Sequence, residues 1–338
     1  MLVFKKACSA KMLKDSENQT QVAGVFHTLW NGMYSRQHSN ISNSEFGLGN
    51  DSIKLLNWSD SHLPSWVSSL DGNFSQLNIL DLGCGGGYGA CDFLNICKES
   101  FGFVDHINYH GVDLFDLANT KKRVSSFLSE LLPLASHSCE VFTQDMNLFE
   151  SNEVKYNLIL ALGSLHHTPS VENSLKKTFK LLDPRGIYIG WIVNKQKPLR
   201  DLTDSFFRKH FQNLQDQRKL ESELHQLALL FLALGESLGD AKVTLTDSIS
   251  SLELEPGEYN LQTLLYDYIV KCYYKGGPMS DSIDRVKTQL FDWFLPRYYH
   301  QTSTEDLLNL FRSIPEASSY QLITKTNGHF FLLKKGEC

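Results

Sequence analysis

The chain has 338 residues and a formal net charge of −6, and no Lys/Arg run stands out, so the concentrated positive charge that grips nucleic-acid phosphates is missing. Its seven cysteines (positions 8, 84, 91, 97, 139, 272 and 338) are odd in number and show no CxxC or Cys/His metal spacing, which points to reduced thiols rather than a disulfide framework. With no apolar run of signal-peptide or membrane-spanning length, the expectation is a cytoplasmic protein with one ordinary domain and a substantial insertion.

Residues 1–75 read as a helical extension. Val22, Phe26, Leu29, Trp30 and Met33 recur at helical spacing, and a second helix is expected near Pro64–Leu70. Between them the Ser- and Asn-rich stretch 35–50 reads as loop. The extension either covers a sheet face or, through Trp30–Arg36, closes over a ligand.

Residues 77–89, LNILDLGCGGGYG, carry the most information. An apolar strand reaches Asp81 and is followed by Gly83, Gly85, Gly86, Gly87 and Gly89. Glycine lets a backbone turn tightly and lie against a ligand, and the carboxyl end of a first parallel strand is where open α/β sheets hold nucleotides. A dinucleotide fingerprint starting at Gly83 and Gly85 requires glycine or alanine at position 88, which is Tyr88. What stands there is D-x-G-x-G-x-G, from Asp81 to Gly87. A second strand, 107–114, ends in Asp113, and a third, 139–145, ends in Asp145 and is followed by Met146. A fourth, 156–167 (YNLILALGSLHH), carries Gly163, Ser164, His166 and His167 at its end, and a fifth spans 181–193. Helices are expected from Tyr88, over 116–132 and over 170–182. Strands alternating with helices imply a parallel sheet.

These segments, in this order, resemble class I S-adenosylmethionine-dependent methyltransferases of the small-molecule type. The resemblance covers roughly residues 76–193, with a return at 304–335. It implies a Rossmann-like, doubly wound, seven-stranded and mostly parallel α/β sheet with an antiparallel last strand. It also implies a cofactor site built from Asp81, Gly83, Cys84, Gly85, Gly87, Asp113, Leu114, Asp145, Met146, Leu162 and Gly163. Asp113 would take the ribose hydroxyls, Asp145 the adenine amino group, and Met146 the ring face.

Residues 194–303 break the alternation and are mostly helical. Leu224, Leu227, Ala228, Phe231, Leu232 and Leu234 make one helix apolar almost all round, as in a cap or a dimer interface. Inserted after the fifth strand, this segment reads as a substrate lid, with a homodimer through its helices as one arrangement. Arg200 and Asp201 open it, either as a salt bridge or with Arg200 binding an anionic substrate group. From Thr304, read as a helix cap, the chain returns to the core (76–193 with 304–338) and ends in a hairpin around Asn327-Gly328.

Methyl transfer demands mainly that the acceptor be held in line and relieved of a proton. His167 and His300 are the candidate bases, with Tyr298 and Tyr299 beside the acceptor. No Asn/Asp-Pro-Pro-Tyr tetrapeptide ends the fourth strand, which disfavours methylation of the amino groups of bases. No aspartate cluster suggests a metal. The expected activity is therefore metal-independent transfer to O or C, with N as a third option, on a small or medium-sized metabolite, without nucleic acid or stable membrane insertion. A non-catalytic binding protein of the same fold and an NAD-dependent oxidoreductase are the alternatives.

Overall fold

A computed structural model describes residues 75–97, 104–114, 119–131, 133, 135–151, 154–214, 216–270, 283–325 and 328–337. The two N-terminal helices, Trp30–Arg36, and Cys8, Cys272 and Cys338 lie outside the described residues.

Alternation of strand and helix appears as β1 (Gln76–Leu82), α1 (Tyr88–Ile96), β2 (His106–Asp113), α2 (Thr120–Leu131), β3 (Ser136–Thr143), β4 (Tyr156–Leu162), α3 (Val171–Phe179) and β5 (Leu182–Val193). The chain returns through α8 (Thr304–Arg312), β8 (Ala317–Lys325) and β9 (Gly328–Lys335). The seven strands form one sheet in the order β3-β2-β1-β4-β5-β9-β8. Strands β1 to β5 pair in parallel, and β9 enters antiparallel between β5 and β8. The fold is α/β and Rossmann-like. Its strand order reverses between β1 and β4, which opens a crevice at their carboxyl ends.

Both sheet faces are buried, which is why β1 and β4 read as continuous apolar runs. Leu77, Ile79, Leu158 and Leu160 face one core with Phe93 and Val124. Leu80, Leu82, Ile159 and Ala161 face the other with Leu175, Phe179 and Phe311.

Between β5 and α8 lie α4 (Pro198–Gln212), α5 (Gln217–Leu238), α6 (Leu261–Tyr268) and α7 (Ile283–Phe294). Strands β6 (Lys242–Leu245) and β7 (Gly257–Asn260) form an antiparallel hairpin within this segment, which the helical reading of the insertion missed. Phe211, Leu224, Phe231, Leu290 and Phe294 give these helices a core of their own, joined to the sheet through Val193 and Trp191.

Several boundaries move. The third strand stops at Thr143, leaving Asp145 in a turn where Leu148 and Phe149 donate to its carbonyl. Helix α5 is not buried all round: Leu220, Leu224, Ala228 and Phe231 form one buried stripe, while Leu229 and Leu230 are exposed. Ser303, not Thr304, caps α8. Its extended backbone lets the side chain accept the Asp306 amide at 3.1 Å, while its hydroxyl donates to the Asp306 carboxylate at 2.7 Å. Among the described residues no helix is long and apolar enough to cross a membrane.

Candidate active site

The loop after β1 passes through three left-handed residues, Gly83 (φ 70°), Gly85 (φ 49°) and Gly87 (φ 77°). Two of these glycines serve contact with the protein itself. A Cβ on Gly83 would lie 2.3 Å from Ser164 Cβ, and one on Gly87 would lie 2.6 Å from Val124 Cγ2. The loop is thereby pressed against the end of β4 and against α2. Helix α1 then starts at Gly87 with neither a side-chain cap nor an acidic residue in its first turn. Its amides and positive dipole end are left to attract an anion.

Asp113, at the end of β2, accepts the Gly85 amide at 2.8 Å, fixing carboxylate and loop together. Leu114 beside it is 54% exposed among the described residues. The Met146 methyl sits 3.6 Å from where a Gly83 Cβ would be. One oxygen of Asp145 receives both the backbone and side-chain N–H of Asn147, at 2.8 and 2.9 Å. Gly163 (φ 86°) turns the chain off β4, its amide donating to the Trp191 carbonyl at 3.2 Å, and Leu162 packs half-buried beneath it.

Asp81 and Cys84 sit lower than their motif positions suggest. Asp81 is buried and accepts the Tyr109 hydroxyl at 2.7 Å. Burial pushes its carboxyl up to about 7, against the pull of that hydrogen bond and with help from nearby Asp113. Cys84 is buried too, its sulfur lying against Gly111, and burial holds its thiol well above the usual range.

After Gly163 and Ser164, a single 3-10 turn carries Leu165, His166 and His167. The segment 295–300, leading out of α7, folds onto it. His167 Nδ1 lies 3.2 Å from the Tyr298 carbonyl and must donate to it, which leaves Nε2 as the basic nitrogen, 3.8 Å from Asp292. Burial lowers the His167 pKa while Asp292 raises it, with a net lowering. His300 is held twice, its backbone amide donating to the His166 carbonyl and its Nε2 to the Thr168 carbonyl, each at 2.9 Å. Its Nδ1 therefore carries the lone pair. His166 is buried, its Nδ1 has no partner among the described residues, and burial favours the neutral ring by lowering its pKa well below the usual value.

The Tyr299 ring contacts both His166 and His167, with centroids 5.4 and 5.6 Å apart. The Tyr298 ring stacks on His300 at 6.5 Å. The four residues expected at the acceptor thus gather in one cluster, together with His166 and Asp292.

Arg200 does not join it. The guanidinium is 1% exposed and pairs with Asp204 at 2.8 Å, not with Asp201. Residues four apart share a helix face, whereas neighbours in sequence do not. Trp293 Nε1 also donates to that Asp204 carboxylate, at 2.6 Å. Two other arginines of the 194–303 segment reach the cluster: Arg208, whose guanidinium carbon lies 3.8 Å from the Tyr299 ring centre, and Arg297, 5.3 Å from that of Tyr298. Nothing in FFRKHF distinguished Arg208; eight residues beyond Arg200, it is two helical turns farther along α4. Among the described residues no group of His, Cys, Asp or Glu is arranged to hold a metal ion.

Residues 59–229, about half of the chain, match the model of a methyltransferase domain family. The chain belongs to that family. It is a class I, Rossmann-like methyltransferase, and S-adenosylmethionine is its cofactor. The dinucleotide reading falls with that match. No curated protein sequence matches this methyltransferase. Among solved structures it is similar to PKMT2 from Rickettsia typhi in complex with AdoHcy, at 13% identity and a TM-score of 0.45, covering 83% of this chain and 54% of that one. It is also similar to an O-methyltransferase family protein from Burkholderia thailandensis (8% identity, TM-score 0.40, covering 86% and 59%). A third is the CMeT domain of the citrinin polyketide synthase (12%, 0.40, covering 78% and 47%). The chain spans about half to three fifths of the length of the first of these structures.

Proposed function

We propose that this methyltransferase transfers a methyl group to an oxygen or carbon atom, with nitrogen as a third option, of a small or medium-sized metabolite, His167 or His300 taking the acceptor's proton. The observation that carries this reading is the imidazole cluster at the end of β4, reached directly from the glycine loop through the Gly83–Ser164 contact.

The residues present fit the cofactor. The uncapped first turn of α1 suits its carboxylate, Asp113 its ribose hydroxyls, and Leu114 and Met146 its adenine faces, with Asp145 at the adenine edge. Bound there, the cofactor supplies a methyl group on a sulfonium, a good leaving group, so the protein's own work is to orient the acceptor, exclude water and remove a proton. His167 suits that work better than His300. Its Nδ1–H is fixed on a carbonyl, its Nε2 is free to accept, and Asp292 favours the charged ring that results. As the acceptor atom takes the methyl, its proton passes to Nε2.

The segment 194–303 acts as the substrate lid over the core formed by 76–193 and 304–338. Exposed Leu202 and Phe206 on α4, with Leu229 and Leu230 on α5, support a homodimer through its helices. The net charge of −6 supports an acceptor other than nucleic acid.

Calorimetry with S-adenosylhomocysteine, followed by a methyl-transfer assay against a metabolite panel, tests the reading. Micromolar binding that weakens about tenfold or more in Asp113→Ala, which loses charge-assisted hydrogen bonds, is the expected result. Binding without transfer to any acceptor would leave a non-catalytic binding protein.

A further inference from the structure

Arg208 is a partly buried cation with no carboxylate in ion-pair contact among the described residues. Its Nε donates to the Trp293 carbonyl at 3.0 Å and its plane lies on Tyr299. Its Nη2 is buried with no hydrogen-bond partner, and it makes no ion pair among the described residues. Arg200, on the same helix, shows the ordinary solution: full burial against Asp204. That carboxylate meets both Arg200 and Trp293 through Oδ2; its Oδ1 has no hydrogen-bond partner among the described residues, and the carboxylate acts on Arg208 only at longer range, as does Asp201. Burying a guanidinium beside a carbonyl and a ring face leaves its charge uncompensated, which is costly. Burial accordingly lowers its pKa.

A second orphan stands against it. The Tyr299 hydroxyl is buried and has no partner among the described residues, although a buried phenol ordinarily finds one. The same ring touches His166 and His167, so both unsatisfied donors stand one ring away from the candidate base. Two other orphaned donors belong elsewhere: Trp191 Nε1 lies against Gly328, 2.4 Å from where a Cβ on that glycine would be, and Gln301 Nε2 is on a side chain whose Oε1 accepts the Gln196 amide at 3.0 Å.

We infer that the acceptor carries a carboxylate, received by Arg208 Nη2 and the Tyr299 hydroxyl, which positions its reacting atom beside His167. One uncompensated positive charge matches one carboxylate. A phosphate would bring further oxygens and a second charge for which these two donors have no answer. Arg208 and Tyr299 would then decide acceptor class, and the inference rests on the methyltransferase reading above.

The test uses the full chain with S-adenosylhomocysteine at low salt. Benzoate, cinnamate and octanoate are each titrated against the corresponding amide, with phenyl phosphate alongside. At least one acid should bind about tenfold or more tightly than its amide, as for a hydrogen bond to a charged group. Arg208→Gln should erase that preference, Arg208→Lys should retain part of it, and Tyr299→Phe should weaken it several-fold, all with unchanged S-adenosylhomocysteine affinity. Acids no better than their amides, a preference that survives Arg208→Gln, or phenyl phosphate binding more tightly than benzoate would each overturn the inference while cofactor binding stands. A wild type that binds no S-adenosylhomocysteine would overturn the methyltransferase reading and the inference with it.

Discussion

The Tyr109 hydroxyl donates to Asp81 at 2.7 Å between paired strands β1 and β2, beneath the glycine loop. That bond does not offset burial, and the carboxyl is pushed from 3.8 up to about 7. A raised pKa means the folded state holds a proton that the unfolded state has released. The resulting stability is therefore full below about pH 4 and is lost as pH rises through about 7. At about 1.4 kcal/mol per unit, the loss is at most on the order of 4 kcal/mol. Asp81→Asn should flatten this dependence, with urea unfolding at pH 5 and pH 8 giving closer stabilities than in wild type. Identical pH dependence in the two proteins would show that Asp81 ionises freely.

Gly83 and Asp113 should fail in different ways. Gly83→Ala or Gly87→Ala places a Cβ on a positive-φ residue and against Ser164 or Val124. The left-handed backbone alone costs roughly 1–2 kcal/mol, and overpacking adds about 1–3. Asp113→Ala touches no core packing and should reduce cofactor affinity with little change in unfolding midpoint. Paired calorimetry and thermal unfolding separate the two, and a Gly83→Ala protein of wild-type stability would contradict the close packing.

The parallel half of the sheet was legible because its strands carry local signals: continuous apolar runs in β1 and β4, acidic or glycine-rich carboxyl ends after β1, β2 and β4, and helical periods between strands. Asp113 and the glycine spacing were readable for the same reason. What the sequence hid depends on distance in space. Tyr109 reaching Asp81 and Asp292 facing His167 come from packing between elements far apart in the chain, and Asp204 rather than Asp201 holding Arg200 from which residues of α4 share a face. The hairpin β6–β7 was missed because Lys242–Leu245 and Gly257–Asn260 are four-residue strands, too short to establish a period of two. Arg208 was invisible because one Arg in an amphipathic helix reads as a solvated face until the helix packs against Trp293 and Tyr299.

Asp204 is fully buried and holds both the Arg200 guanidinium and the Trp293 indole. Asp204→Ala leaves Arg200 charged and unpaired in the interior of the 194–303 segment, a change that costs about 3–5 kcal/mol. The helical core of this segment should loosen before the sheet, with new proteolysis within 198–294 while the sheet remains protected. Wild-type stability in this variant would mean that Arg200 finds water or another acceptor.

His167 is the residue on which turnover should depend. Its Nδ1–H is committed to the Tyr298 carbonyl, and its Nε2 is the lone-pair nitrogen facing Asp292. A general base contributes about 10²- to 10⁴-fold, so His167→Ala should reduce kcat by that range with cofactor affinity unchanged. Because burial lowers its pKa from 6.5, the rising limb of the rate should lie below pH 6.5 and be level at neutrality. The same shift makes the neutral ring the folded form, so stability should decline as pH falls below 6.5 toward the lowered value. Asp292 raises that pKa, so Asp292→Asn should move the limb to still lower pH while sparing the plateau better than His167→Ala does. His300 donates through Nε2 to Thr168 and braces the turn through the His166 carbonyl. His300→Ala should therefore affect acceptor KM and stability more than the position of the limb. A flat pH profile, with His167→Ala within about threefold of wild type, would assign the reaction to positioning alone.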